Sequence, residues 1–231
     1  MRNIFLGVAI GSTVMAQEVS EELRQALMPS HLYGKLLLDR LEYLPSKKTF
    51  RYDAEFWYGG DFHRVYIETE GNHSLKRGDG EIKRADIYIG KLVTPFWTMR
   101  LGAGAEGEYR HPFRKYVVVG VEGLAPYWFE VDANMKVDTE GRTSLHMKTY
   151  VDLLITQKLV LQPRVEGAYY LRDIPKVSRP AGLSRLEAGL RLRYEFRREL
   201  APYIGLQYSM EKGKEGKKEG THFLLGLRMW F

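Results

Sequence analysis

Apolar and polar residues alternate one by one over long stretches of this chain. From Tyr127 to Val137 every odd position is apolar or aromatic, whereas the even positions from Glu130 to Lys136 carry charged or amide side chains. Successive side chains of a β-strand point to opposite faces, so a period of two predicts a strand with one apolar and one polar face. The pattern also lasts longer than most strands of soluble sheets, which average about five or six residues.

The same alternation recurs about twelve times along the chain. Its clearest further example runs from Arg185 to Phe196, where leucine, alanine, tyrosine and phenylalanine alternate mainly with arginine and glutamate. The predicted strands begin near Tyr33, Thr49, Phe62, Glu81, Phe96, Tyr116, Tyr127, Arg142, Lys158, Leu183, Pro202 and Thr221. Because this period fits no helix, the sequence predicts an all-β fold.

The connections between these strands alternate in length. Short turns are predicted at 58–61, 94–95, 124–126, 156–157 and 197–199, and longer polar loops at 72–80, 108–115, 172–182 and 211–220. Outer-membrane barrels combine short periplasmic turns, longer extracellular loops and strands of about 9–11 residues. The layout therefore predicts an antiparallel transmembrane β-barrel of about 12 strands, with both termini on the periplasmic side.

The N-terminal residues have the composition of an export signal. Arg2 precedes a short apolar run, and small residues lead to Ala16. We therefore predict a signal peptide at 1–16, a short periplasmic segment at 17–31 and the barrel at 32–231. The alternative for the first residues is a buried strand. A membrane helix is excluded there, because about 20 apolar residues are needed to cross a bilayer.

The C-terminal strand determines which face meets the membrane. Its odd positions from Phe223 to Met229 are apolar, and the chain ends on Phe231. This ending resembles the terminal signature of barrels inserted by the outer-membrane assembly machinery. Together with the export signal it predicts an apolar face against lipid and a charged face lining the lumen. The alternative is an extracellular β-sandwich with its apolar face inside.

Composition adds two constraints. The chain has no cysteine, which excludes disulfides, thiolate metal sites and cysteine nucleophiles. Its net charge of +6 collects in the long loops, at Lys76, Arg77, Arg110, Arg114, Lys115, Lys212, Lys214, Lys217 and Lys218. We expect these loops to contact the phosphates of lipopolysaccharide. Because they would repel cations from outside, they favour export or periplasmic binding over uptake.

Five stretches resemble a known family. They are WYGGD at 57–61, TPFW at 94–97, GLAPYWFEVDA at 123–133, DLLITQKLVLQPR at 152–164 and LSRLEAGLRLRYEFRRELAPYIG at 183–205. These stretches resemble the outer-membrane copper resistance protein B family. The resemblance implies a twelve-stranded barrel that handles periplasmic copper, with copper ions bound or transported and a periplasmic copper-binding protein as a partner. We expect a monomer in outer-membrane lipid, without a nucleic-acid partner.

One departure from that family concerns the segment before the barrel. Family members often carry a long segment there that is rich in methionine and histidine. Here the corresponding residues contain Met28 as the single thioether, and His31 follows. The copper capture performed by that segment is therefore either missing from this chain or supplied by a partner.

Strand register predicts which lumenal side chains meet. A turn at Glu140-Gly141 would pair Asn134 with His146, Asp132 with Lys148, Glu130 with Tyr150 and Trp128 with Asp152. A turn at 156–157 would pair Lys148 with Glu166, Tyr150 with Arg164 and Asp152 with Gln162. In the structural interpretation these side chains only fill the lumen. Each charge is then paired with an opposite charge, because an unpaired buried charge costs several kcal/mol.

The functional interpretation is a copper path through the lumen. Carboxylates and imidazole suit Cu(II), whereas thioethers suit Cu(I). The candidate metal ligands are Glu130, Asp132, His146, Asp152 and Glu166, with Asp53, Glu55 and Glu68 nearby. A methionine-lined Cu(I) path is disfavoured, because Met99, Met135, Met147, Met210 and Met229 all lie on the lipid-facing positions.

Two other function classes stay open at this point. The first is a general small-solute porin or structural barrel without metal specificity. The second is a lumenal hydrolase built on Ser144, His146 and Asn134. We predict that the chain is not an enzyme, because these three residues point into the lumen and away from lipid.

Overall fold

The computed structural model describes residues 32–76, 78–213 and 216–231. The predicted signal peptide at 1–16 and the segment at 17–31 lie outside the described residues. Most of the described chain is antiparallel β-structure, as the alternating pattern predicts. Within these ranges no helix is both long enough and apolar enough to cross a bilayer.

Twelve strands make up the described part of the chain. They are β1 (Tyr33–Leu44), β2 (Thr49–Gly59), β3 (His63–Ser74), β4 (Gly80–Thr94), β5 (Trp97–Glu108), β6 (Arg114–Ala125), β7 (Phe129–Asp138), β8 (Thr143–Tyr150), β9 (Leu159–Tyr170), β10 (Gly182–Tyr194), β11 (Leu200–Gly213) and β12 (Gly216–Trp230). The two residues Leu153–Leu154 continue β8 and pair with β9. Short 3₁₀ turns occupy Pro126–Trp128 and Pro175–Val177.

The sheet closes on itself. Each strand pairs with the next one in sequence, and β12 pairs with β1. At this seam Leu36 and Phe231 exchange two backbone hydrogen bonds, of 2.9 and 2.8 Å. A closed barrel satisfies the backbone of every strand, which the bilayer interior requires. The first described strand begins at Tyr33 opposite Gly59, and Phe231 pairs with Leu36, so both lie near the turn at 60–62 at one end of the barrel.

The two faces of each strand confirm the predicted orientation. On β7, Asp132 and Lys136 are 8% and 1% exposed, whereas Met135 between them is 42% exposed. The outside of the barrel is a band of exposed apolar side chains, among them Ile89 and Leu101. A soluble barrel would have the reverse arrangement. Charged groups therefore fill the lumen and apolar groups face lipid.

Loop lengths differ less between the two ends than the sequence suggests. The periplasmic connections are 60–62, 95–96, 126–128, 155–158 and 195–199, and the opposite ones are 45–48, 75–79, 109–113, 139–142, 171–181 and 214–215. Most of the segment 211–220, predicted as a loop, belongs instead to β11 and β12, which stay paired up to Gly213 and Gly216. Its side chains are polar on both faces, so no apolar alternation marks it as strand.

Three strands contain an extra inward-facing residue. In β1 the register shifts between Leu38 and Arg40, so that Asp39 and Arg40 both point into the lumen. Similar bulges place Lys83 beside Arg84 in β4 and Ser184 beside Arg185 in β10. A bulge inserts one residue without changing the faces of the strand around it. These strands therefore supply more polar groups to the lumen than strict alternation allows.

Candidate functional site

The middle of the lumen is filled by a network of ion pairs. Arg40 contacts Asp53 at 2.9 Å and reaches across the barrel to Glu166 at 2.8 Å. Arg164 contacts the same Glu166 at 2.5 Å and Asp39 at 2.6 Å. These five side chains are almost completely buried. They link β1 and β2 to β9 directly across the lumen.

A second cluster joins the network on the side of β3 to β7. Arg100 contacts Glu68, Asp132 and Glu122, the last at 3.1 Å. Arg84 contacts Glu68 at 2.7 Å and Asp132 at 3.1 Å. Each arginine thus serves several carboxylates at once, which its planar group of five donors allows.

Two tyrosines beside this cluster share one carboxylate as their hydrogen-bond acceptor. The hydroxyls of Tyr88 and Tyr116 both donate to the carboxylate of Asp86, each at 2.6 Å. Lys136 donates to Tyr116 at 2.7 Å. Gly104 faces the same carboxylate, and a Cβ there would collide with Asp86. Gly104 of β5 therefore leaves the space that this carboxylate occupies.

A cavity of about 420 Å³ occupies the periplasmic half of the lumen. Its carboxylates are Asp39, Asp53, Glu55, Glu122, Glu130 and Asp132, and its cationic groups are Lys35, Arg64, Lys148 and Arg228. Among the described residues, Glu55 makes no ion pair and no side-chain hydrogen bond. Trp57 lines the wall nearby, with the Arg64 guanidinium stacked 4.2 Å from its ring centre. Carboxylates thus outnumber cationic groups around this space.

Comparison with known proteins identifies the family. The family described as "Copper resistance protein B precursor (CopB)" matches residues 32–231, which is most of the chain. The chain belongs to the copper resistance protein B family. Copper resistance protein B of Escherichia coli is 38% identical over 217 residues, with 89% of this chain and 72% of that protein covered. A homolog from Pseudomonas syringae pv. tomato is 29% identical over 214 residues, with 87% and 71% covered.

A solved structure supports the same fold. The NanC porin superposes with a TM-score of 0.55 at 13% identity, and the match covers 84% of this chain and 98% of the porin. Family and fold together place this copper resistance protein B family member in the outer membrane and support a role in copper resistance. The family description as a precursor agrees with the predicted export signal.

The predicted strand register is confirmed at most lumenal positions. Asn134 lies opposite His146, Asp132 opposite Lys148, Glu130 opposite Tyr150, Lys148 opposite Glu166 and Tyr150 opposite Arg164. Asp152 accepts a hydrogen bond of 2.8 Å from Gln162. Trp128 is the exception, because it lies in the 3₁₀ turn before β7 with a positive φ of 64° and is 74% exposed.

The five predicted metal ligands occupy different parts of this family member. Glu130 lies at the mouth of the cavity, where Tyr150 donates to it at 2.5 Å, and Asp132 lies at the inner end of the cavity. Glu166 belongs to the central network, and Asp152 contacts Arg193 at 2.7 Å. His146 lies in the outer half, 3.2 Å from Ser144.

No cluster of three or more histidine, aspartate or glutamate side chains with metal-binding geometry is present within 32–76, 78–213 and 216–231. Asp39 and Glu122 are the cavity carboxylates that the sequence interpretation missed. Asp39 reaches the lumen through the bulge in β1, and Glu122 follows from the regular pattern. Glu122 lies on the charged face of β6 directly opposite Asp132, just as Glu55 lies opposite Glu68. Like charges directly opposite each other on neighbouring strands are unfavourable unless a cation lies between them. The pairing of Glu122 with Asp132 in the register of β6 and β7 is such a case, and it could have indicated this carboxylate.

The candidate hydrolase residues have no access to a substrate. Ser144 is fully buried, and its hydroxyl accepts a hydrogen bond of 3.0 Å from Arg114. The amide of Asn134 donates to Asp132 at 2.6 Å, and so it does not orient His146. The geometry of a nucleophile, a base and an orienting group is therefore incomplete here.

Proposed function

We propose that this barrel contributes to copper tolerance by holding Cu(II) in its periplasmic cavity, without catalysing a reaction. The observation that carries the proposal is Glu55, a lumenal carboxylate without an ion pair or hydrogen bond, in a cavity that also contains Glu122 and Glu130. Carboxylate oxygens are suitable donors for Cu(II). A divalent cation would also relieve the excess of negative charge around this space.

The ion pairs of the neighbouring carboxylates favour Glu55 as the centre of the proposed Cu(II) site. Asp53 and Asp132 are held by buried arginines at the bottom of the cavity. A metal ion there would have to displace those ion pairs and leave an arginine unpaired, which is unfavourable in a buried site. Glu55 requires no such displacement. The proposal therefore keeps Glu130 from the sequence interpretation, moves Glu55 from a neighbour of the site to its centre and adds Glu122. Asp132 stays a proposed ligand at the inner end of the cavity, where copper would have to compete with Arg84 and Arg100.

The experiment is a Cu(II) titration of the folded protein in detergent, followed by calorimetry and electron paramagnetic resonance. We expect Glu55→Gln and Glu130→Gln to weaken binding and to change the Cu(II) spectrum. Asp61→Asn is the matched control, because Asp61 is an exposed carboxylate at the same end of the barrel but outside the cavity. Unchanged titration curves for both cavity variants would rule the site out.

His146, Asp152 and Glu166 stay proposed ligands that the same titration tests through His146→Ala, Asp152→Asn and Glu166→Gln. Because these three residues lie outside the cavity, their substitution should leave the cavity spectrum unchanged. A spectrum changed by His146→Ala or Glu166→Gln would instead indicate that copper moves deeper into the lumen, whereas one changed by Asp152→Asn would indicate a further ligand at the periplasmic end. The titrations therefore separate binding at the periplasmic end from passage outward.

The proposed partners follow from the same arrangement. The cavity opens toward the periplasm, so we infer that copper arrives from that side, by diffusion or from a periplasmic copper-binding protein. The basic residues at the outer end, such as Lys115 and Lys176, are proposed to contact lipopolysaccharide. The alternative function, a general porin without metal specificity, is less favoured because buried ion pairs fill the middle of the lumen.

A further inference from the structure

A small second cavity lies in the outer half of the lumen, away from the copper site proposed above. It measures about 10 Å³, enough for a single water-sized sphere or a monatomic ion. The polar groups that border it are Glu81, Lys83, Glu106, His146, Tyr170, Arg179 and Arg185. These residues come from β4, β5, β8, β9, β10 and the loop at 171–181, so the cavity is enclosed from several sides.

Arg185 is the unusual member of this group. The bulge at Ser184 directs it into the lumen, opposite Ala168 of β9. Its guanidinium makes no ion pair and no hydrogen bond with any described residue, and its Nε is buried without a partner. Most other lumenal arginines contact at least one carboxylate. The side chain is partly buried, and the carboxylates that act on it most strongly, Glu70 and Glu187, lie beyond ion-pair distance and each contact Lys83. A counterion in the cavity would therefore stabilise this guanidinium.

The carboxylates that border the cavity cannot serve as that counterion. Glu81 is held by Arg179 at 2.7 Å. Glu106 is held by Arg114 at 2.8 Å and by Lys136 at 3.2 Å. Each is therefore already compensated by other cations. The positive charge of Arg185 stays unbalanced within ion-pair distance.

Several donors around the cavity are free to complete an anion site. The hydroxyl of Tyr170 makes no hydrogen bond with the described residues. The ring of His146 lies edge-on to Tyr170, with centres 5.7 Å apart, and only its Nε2 is engaged, by Ser144. Lys83, Arg179 and Arg185 border the same cavity as this histidine. The surroundings therefore favour a negative ligand.

We propose that this outer cavity binds one small monatomic anion, such as chloride, with Arg185 as its main ligand and Tyr170 as a second donor. The anion supplies the charge that the neighbouring carboxylates do not provide. The barrel then carries two sites of opposite sign, for a cation near the periplasm and for an anion in the outer half. The anion site is independent of the copper proposal.

Bromide tests the site directly. Crystals of the wild-type protein are soaked in sodium bromide, and anomalous diffraction is collected at the bromine absorption edge. We expect a peak within contact distance of the Arg185 guanidinium. A map that shows only water in this cavity would overturn the proposal. Because the measurement uses wild-type protein, it does not depend on whether any variant folds.

Thermal unfolding in detergent tests the ligand assignment. The midpoint of the wild-type protein should rise when sodium gluconate is replaced by sodium chloride at equal ionic strength. The rise should disappear in Arg185→Gln and return in Arg185→Lys. Arg193→Gln is the matched control, because this arginine lies on the same strand but already contacts Asp152 and Glu195. Equal chloride responses in Arg185→Gln and wild type would contradict the proposal, whatever the copper titration shows.

Discussion

Individual buried arginines stabilise the network of ion pairs in this lumen. Arg40 contacts Asp53, Glu70 and Glu166, at 2.9, 3.3 and 2.8 Å. A lysine could not replace it, because only a planar guanidinium offers five donors in a fixed arrangement. Each such arginine compensates several buried carboxylates, so its removal leaves more than one charge unpaired. The change in the free energy of unfolding therefore depends far more on how deeply the substituted side chain is buried than on how many ion pairs the protein contains.

Arg114 provides the sharpest test at the residue scale. The sequence predicts Arg114 in an outer loop facing lipopolysaccharide, and this prediction is wrong. Its side chain is fully buried at the start of β6 and contacts Glu106 at 2.8 Å and Asp138 at 3.3 Å. Arg114→Met keeps most of the volume but leaves two buried carboxylates without this partner. We expect the free energy of unfolding to fall by about 3–5 kcal/mol, the usual cost of breaking a buried pair. Urea unfolding in lipid vesicles measures this change.

The matched control is Lys217→Met. Lys217 contacts Glu219 at 2.6 Å, but both side chains are about half exposed. Exposed ion pairs contribute little because solvent and salt screen them, so this substitution should scarcely change stability. Equal losses for the two variants would show that burial does not govern the lumenal pairs.

At the scale of the strand, bulges decide which residues reach the lumen. The bulge in β1 adds Asp39 to the inward face, where it contacts Arg164 at 2.6 Å and Arg228 at 3.2 Å. Deleting Asp39 should restore plain alternation and keep every other side chain on its present face. The barrel should still assemble, with reduced stability because Arg228 loses its carboxylate.

Deletion of Ala54 is the informative contrast. Ala54 lies in regular β2, opposite Leu38. Its removal shifts one part of the strand by one residue, which turns charged side chains such as Asp53 toward lipid. We expect this variant to fail to assemble, as judged by loss of heat-dependent migration on gels and by protease sensitivity. Failure of the Asp39 deletion to fold, or normal folding of the Ala54 deletion, would contradict this role of the bulge.

Most strands were predictable from sequence because the bilayer enforces the alternation. A lipid-facing position must be apolar over the whole membrane thickness, and this gives β7 and β10 their long patterns. The bulges at Asp39 and Lys83 were not predictable, since two adjacent polar residues look like a break in the pattern. The ends of β11 and β12 were missed for a related reason, because beyond the bilayer both faces are polar and the period disappears.

For the site, sequence predicted the neighbours across each strand pair but not the contacts across the lumen. The pairing of Asp132 with Lys148 follows from the turn that joins β7 and β8. Contact between Arg40 and Glu166, which are 126 residues apart, depends on barrel diameter and on how long side chains fill the centre. The unpaired state of Glu55 and of Arg185 depends on these same contacts, so neither was evident before the fold was known.

At the scale of the whole molecule, the lumen is divided along its axis. A cavity of about 420 Å³ opens toward the periplasm, buried ion pairs and a cavity of about 30 Å³ occupy the middle, and a cavity of about 10 Å³ lies in the outer half. Barrels with 16 to 18 strands leave an aqueous channel, whereas side chains can fill barrels of about eight. With twelve strands, the long arginine and glutamate side chains are sufficient to close the centre.

This division predicts weak ion conduction. In planar bilayers the wild-type barrel should conduct far less than an open general porin measured in the same salt, because Arg40 and Glu166 meet across the lumen. Replacing both by serine removes this pair together and opens space where the two side chains meet, while Asp53 and Glu70 lose a contact with Arg40 and Arg164 loses one with Glu166. We expect this double variant to conduct more than wild type. Large ohmic currents through the wild-type protein would instead favour a porin and would require the central pairs to open in the membrane.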